Sequence, residues 1–183
     1  MTDRRTSADL DALVEFVNTI DIEADRDRIG TPERMAAWLA ERDVPDTGAI
    51  VSRRTHERAI ALREGLRALG RANNEERAEP AALRALEAAT ADLPLTASLA
   101  PASSWQLRPE AKGADAYLAT IVATALRAMA DGEWSRVKAC QNDVCRWLFI
   151  DSSRNRSRTW CTMAVCGSRM KARAYRARQR TAS

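Results

Sequence analysis

Every cysteine of this 183-residue chain falls in one short stretch near its end. Cys140 and Cys145 form one pair and Cys161 and Cys166 a second, each with four residues inside it and with 15 residues between the pairs. A short loop lets both sulfurs of a pair reach one ion, and two such pairs complete a closed tetrahedral thiolate shell. The separation suits four-cysteine zinc sites, with the inner loops at the long end of the usual spacing. Disulfides or redox-active thiols are the competing reading. The opening MTDRRTSADLD is charged and lacks an apolar core, and no window approaches 18 uncharged apolar residues. Neither secretion nor membrane spanning is therefore expected. In a reducing, cytoplasmic compartment clustered cysteines favour metal over disulfides. The expectation is one structural Zn2+ per chain, because a catalytic zinc keeps a coordination position open.

The overall charge of +4 conceals an asymmetry. From Trp134 onward there are 12 basic and 2 acidic residues, which leaves 17 basic and 23 acidic before it. An acidic body carrying a basic end suits a chain of which one end meets a polyanion.

The body reads as mainly helical. Leu10, Leu13, Val14 and Val17 recur at helical spacing, and TPERMAAWLAERD offers Thr31 as N-cap, Pro32 at the first helical position and Met35, Trp38 and Leu39 as a buried face. A longer helix is predicted from about Gly48 to Gly70, with Ala59, Leu62, Leu66 and Leu69 inward and Gly70 ending it. His56 reads as a solvated residue of that helix. RANNEERAEP is a polar connection, AALRALEAATADLP a short helix, and Leu95–Leu99 with Ser104–Arg108 a pair of strands about a turn at Pro101. Leu118, Ile121, Val122, Ala125 and Met129 mark a last body helix, and Gly132 a boundary. Two domains are expected, 1–132 and 133–183, the first able to fold alone. With one histidine, no Gly-rich phosphate loop and no nucleophile–base pair, the chain does not read as an enzyme.

In the second part, RWLFI and RTWC are predicted to pair as a hairpin with Trp147, Phe149 and Trp160 on its packed face. Asp151 suits a turn, either receiving local amides or bridging to Arg158. A terminal helix starting near Cys166 carries a narrow stripe of Met170, Ala174 and Ala177. Arg169, Lys171, Arg173, Arg176, Arg178 and Arg180 cover the rest, with no acidic residue to balance them. With Arg154, Arg156 and Arg158 in the preceding turn, these are the candidate nucleic-acid contacts, with Arg169 and Arg173 as base readers. Phosphate contacts alone do not separate DNA from RNA, and a zinc-stapled protein-interaction module is a further alternative.

WSRVKAC followed by CRWLFIDSSRNRSRTWCTMAVCGSRMKA resembles the CGNR zinc-finger family of bacterial transcription regulators. That resemblance implies a treble-clef-like finger, a β-hairpin and helix around zinc, whose signature falls here on Cys166, Gly167, Ser168 and Arg169. Ser168 replaces the family's Asn and is expected to cap the helix. LVEFVNTID and TPERMAAWL resemble the ABATE-type domain that accompanies such fingers. The resemblance implies stress-linked regulation by a DNA-binding finger, with the mainly α N-terminal domain sensing a small-molecule effector or forming a homodimer.

Overall fold

The computed structural model of the chain describes residues 4–45, 51–74, 77–100 and 104–181. Helices α1 (Arg4–Val17), α2 (Pro32–Ala40), α3 (Arg53–Ala72), α4 (Pro80–Ala91) and α5 (Gly113–Ala130) make the body, and α6 (Ser168–Thr181) ends the chain. Among the described residues six short strands form three separate antiparallel pairs: β1 (Ile20–Asp21) with β2 (Arg26–Asp27), β3 (Leu95–Ala100) with β4 (Ser104–Pro109), and β5 (Val137–Ala139) with β6 (Leu148–Ile150). No helix among the described residues is long and apolar enough to cross a membrane.

Local chemistry sets most of the boundaries. Thr31 is extended and its hydroxyl accepts the Arg34 amide at 3.2 Å, with Pro32 following at the first helical position. Ser52 does the same for α3, accepting the Thr55 amide at 3.1 Å, so that helix begins at Arg53. The predicted start at Gly48, like the Pro101 turn, lies outside the described residues. Leu10, Leu13 and Val17 of α1, Met35, Trp38 and Leu39 of α2, Leu62 and Leu66 of α3, and Leu118 and Ile121 of α5 are buried together. Phe16, Trp38 and Tyr117 meet edge to face or tilted, with centroids 5.5 to 6.2 Å apart. Two expectations change here. Met129 is exposed and Ala128 takes the inward position. His56 is half-buried rather than solvated, with Nε2 2.8 Å from the Ile29 carbonyl, so the proton on that nitrogen must be donated to it.

Gly70 does not end α3, which runs on to Ala72 with Asn73 as its C-cap. Its lack of a side chain serves a close approach instead. A Cβ there would sit 2.4 Å from Cδ2 of Leu148, so any larger residue would force the Leu148 side chain of β6 to shift. Leu148, Val137, Ala139 and Trp134 belong to the same buried cluster as the body helices. Asparagines from the body then satisfy the backbone of the second part. Asn18 donates to the Leu148 carbonyl at 2.9 Å and accepts the Leu148 amide at 2.8 Å, taking the place of a neighbouring strand. Asn73 donates to the carbonyls of Trp134 and Val137, and Asn74 to those of Ala139 and Thr159. Arg67, buried on α3, joins the Val17 carbonyl to that of Arg146 at 2.5 and 3.3 Å. Left unpaired, buried backbone groups cost about 1–3 kcal/mol each, which explains why polar side chains line this seam.

Candidate metal centre and nucleic-acid interface

The hairpin of the second part differs from the predicted one. β6 pairs with β5, Val137 opposite Ile150 and Ala139 opposite Leu148, and not with RTWC. The reason is burial on both faces: Leu148 faces the body and Phe149 lies beneath the Arg158 guanidinium, 5.0 Å from its ring centre. Trp147, expected on a packed face, is 39% exposed. Pairing the strands that flank the first cysteine pair places Cys140 at the end of β5 and Cys145 in the turn that follows. That turn is closed by amides of Cys145 and Arg146 donating to the Asn142 carbonyl at 2.8 and 3.0 Å. Arg146 adopts φ 53°, a left-handed conformation that lets the chain turn back into β6. Cys161 precedes a π-helical turn, Met163–Gly167, that contains Cys166 and leads into α6.

The four Sγ atoms lie within 4.8 Å of one another, with Cys145 to Cys161 at 3.7 Å and Cys161 to Cys166 at 3.6 Å. A tetrahedral zinc with bonds of about 2.3 Å requires sulfurs about 3.8 Å apart. The donor set therefore fits one structural zinc held by Cys140, Cys145, Cys161 and Cys166, which leaves no protein-free position for a reacting water. Thiol chemistry points the same way. The hydrogen bond from Cys145 draws the Cys140 thiol down to about 5, whereas burial and then the charge of Cys140 push Cys161 up to about 11. Four sulfurs this close cannot all ionise unless a cation neutralises them. Asn142 Nδ2 donates to Cys166 Sγ at 3.6 Å, spreading part of that negative charge into the surrounding protein.

A profile for the CGNR zinc finger matches residues 136–179. A profile for ABATE, described as "Putative stress-induced transcription regulator", matches residues 10–132. The chain belongs to the ABATE family and carries a CGNR zinc finger. A comparison with curated proteins finds no match.

In the CGNR finger α6 leaves the zinc site and projects from the body, exposed at every residue from Lys171 to Arg180, including Ala174, Tyr175 and Ala177 of its apolar side. Ser168, expected to cap it, donates its hydroxyl back to the Met163 carbonyl at 3.1 Å. At 3.6 residues per turn, Arg169, Arg173, Arg176 and Arg180 fall within about 60° of arc and form one stripe, while Lys171 and Arg178 lie opposite. Arg169 is the member of that stripe that meets the ABATE part. Its guanidinium takes both oxygens of Glu23, in the turn between β1 and β2, at 2.6 and 2.7 Å. Of the loop arginines, Arg154 and Arg156 are exposed, whereas the Arg158 side chain turns inward, donating to the Cys161 carbonyl at 2.6 Å. Asp151 does receive local amides, from Ser153 and Arg158, but its charged partner is Lys138 and not the Arg158 guanidinium.

The sequence reading missed Glu23, Lys138 and the asparagines of the seam. Asn18 stood within LVEFVNTID and Asn73–Asn74 within a connection read only as polar. Two adjacent asparagines at a helix end, where one would suffice as a cap, are the signal that could have pointed to a distant partner.

Proposed function

We propose that the protein is a zinc-containing, DNA-binding transcription regulator without enzymatic activity, in which the CGNR finger meets the duplex and the ABATE domain senses an effector or mediates dimerisation. The observation that carries this reading is α6: an exposed helix with an arginine stripe on one face, cations on the other and no carboxylate in its sequence. A helix kept only for solubility mixes both signs, whereas a groove walled by phosphates rewards cations on both sides. The regulatory role is supported by the family of residues 10–132. The closed four-thiolate site supports a structural use of zinc rather than catalysis.

The test is binding of the purified, zinc-loaded protein to duplex DNA by fluorescence anisotropy over a range of salt. With about six phosphate contacts the slope of log K against log salt should be roughly −5. Preference for structured RNA of equal length in competition would transfer the reading to RNA. Binding to neither at low salt would leave the protein-interaction module.

A further inference from the structure

The loop from Asp151 to Arg158 has no regular structure and little apolar content, yet it is tightly held. Beneath it lies a charge pair: Lys138 Nζ is 3.0 Å from Asp151 Oδ2, with the side chains 7% and 0% exposed. Asp151 Oδ1 accepts the Ser153 amide at 2.9 Å and the Ser153 hydroxyl at 2.6 Å, and Oδ2 accepts the Arg158 amide at 3.0 Å. One carboxylate thus ties both ends of the loop. Lys138 donates in addition to the carbonyls of Arg156 and Arg158, and Arg136 to those of Asp151 and Ser153. The ion pair itself is weak evidence of stability, because apolar side chains of similar volume often replace a buried ion pair without loss. What the pair adds is a defined loop shape. Arg156 shows what that shape costs: its φ of 50° is left-handed, a conformation that favours Gly or Asn. Its side chain, fixed to Ser135 Oγ at 2.8 Å, remains exposed, as does that of Arg154.

We propose that Lys138 and Asp151 are positioning residues for a phosphate-binding loop, holding Arg154 and Arg156 where they meet the sugar-phosphate backbone while α6 occupies the groove. The Arg158 side chain is no part of this contact, being spent on the Cys161 carbonyl and the Phe149 ring. The inference rests on the nucleic-acid reading above. It goes beyond it by assigning the loop and the two buried charges a task that zinc binding alone would not require.

R156G separates structure from contact. Glycine is unstrained at that φ, so the variant should keep its zinc and its thermal midpoint, or raise the latter, while binding duplex more weakly on every sequence with a salt slope shallower by about 1. K138M/D151L removes both charges together, so neither charge is left orphaned, while the Ser153 and Arg158 amides lose their acceptor. It should retain zinc, lose affinity to about the extent of R154A/R156G, and cause no further loss when added to that pair, since it acts through those arginines. Unchanged affinity and slope in R156G and R154A, with the wild type binding normally, would overturn the proposal even if K138M/D151L failed to fold. An additive loss in the combined variant would reduce Lys138 and Asp151 to structural residues and overturn it too. A wild type that binds no duplex at low salt would instead remove the nucleic-acid reading itself.

Discussion

Cys145 and Cys161 are half-exposed, whereas Cys140 and Cys166 are buried. C145S should release the metal all the same, since three thiolates no longer close the shell, and the finger should lose its order, metal binding supplying roughly 10–16 kcal/mol of apparent folding free energy in such modules. Zinc content by atomic absorption, compared with a variant lacking all four cysteines, checks this: equal content in wild type and that variant would exclude zinc. Loading should also weaken as pH falls, because each thiol that regains its proton withdraws a ligand. Asp151 adds a second acid-sensitive element. Burial raises its pKa, but the Ser153, Lys138 and Arg158 hydrogen bonds outweigh that and hold the carboxyl well below the usual range. Its contribution is therefore present above the unfolded value of about 3.9 and is lost as pH drops below it toward the folded value. D151N, leaving the Lys138 ammonium buried without its counter-charge, should cost about 3–5 kcal/mol, measurable by denaturant unfolding at neutral pH. A loss below about 1 kcal/mol would show that Lys138 finds water instead.

At the scale of elements, the β1–β2 turn holds a charge of α6 through the Arg169–Glu23 pair. To serve in nucleic-acid binding Arg169 would first have to release Glu23. The pair is half-exposed, and such pairs contribute about 0.2–1 kcal/mol. E23Q should therefore tighten duplex binding by at most about fivefold, and the gain should vanish in an R169A background. R169A and R173A measured on specific and scrambled duplexes separate two roles: a base reader should cost about 1–3 kcal/mol and relax selectivity, while a phosphate clamp should weaken both duplexes alike. The arginines and the helix were legible in the sequence because composition suffices to find them. Their direction was not, since Glu23 is distant in the chain and nothing near Arg169 announces its partner. The hairpin was misread for a related reason: alternation in RWLFI shows that a strand exists, but its partner is chosen by which face the rest of the protein covers.

For the molecule as a whole, the finger is built into the body. The family profiles divide the chain between residues 132 and 136, yet the buried cluster runs across that division. Burial of Leu148 alone contributes about 1.5–3 kcal/mol, and Trp134 and Val137 add to it. A fragment ending at Gly132 should accordingly melt well below the full chain or aggregate, with the socket at Gly70 and the amides of Asn18, Asn73 and Asn74 opened to water. Differential scanning calorimetry of the two proteins decides this, and equal midpoints would mean that the seam contributes no cohesion.

The sequence by itself determined what short-range chemistry fixes: the helices, through their apolar period and the cap at Thr31; the zinc, through four cysteines in two tight pairs; and the basic end, through charge alone. Only the tertiary structure decided which residues separated by dozens of positions share one place. Gly70 reads as a helix stop until Leu148 is set against it, and Asn73 and Asn74 read as loop until finger carbonyls lie within reach. Glu23 reads as one acid among many until Arg169 meets it. The physical reason is that propensity and periodicity act within a turn or two of chain. Close packing and the satisfaction of buried polar groups are settled only when the whole surface of each element has been covered.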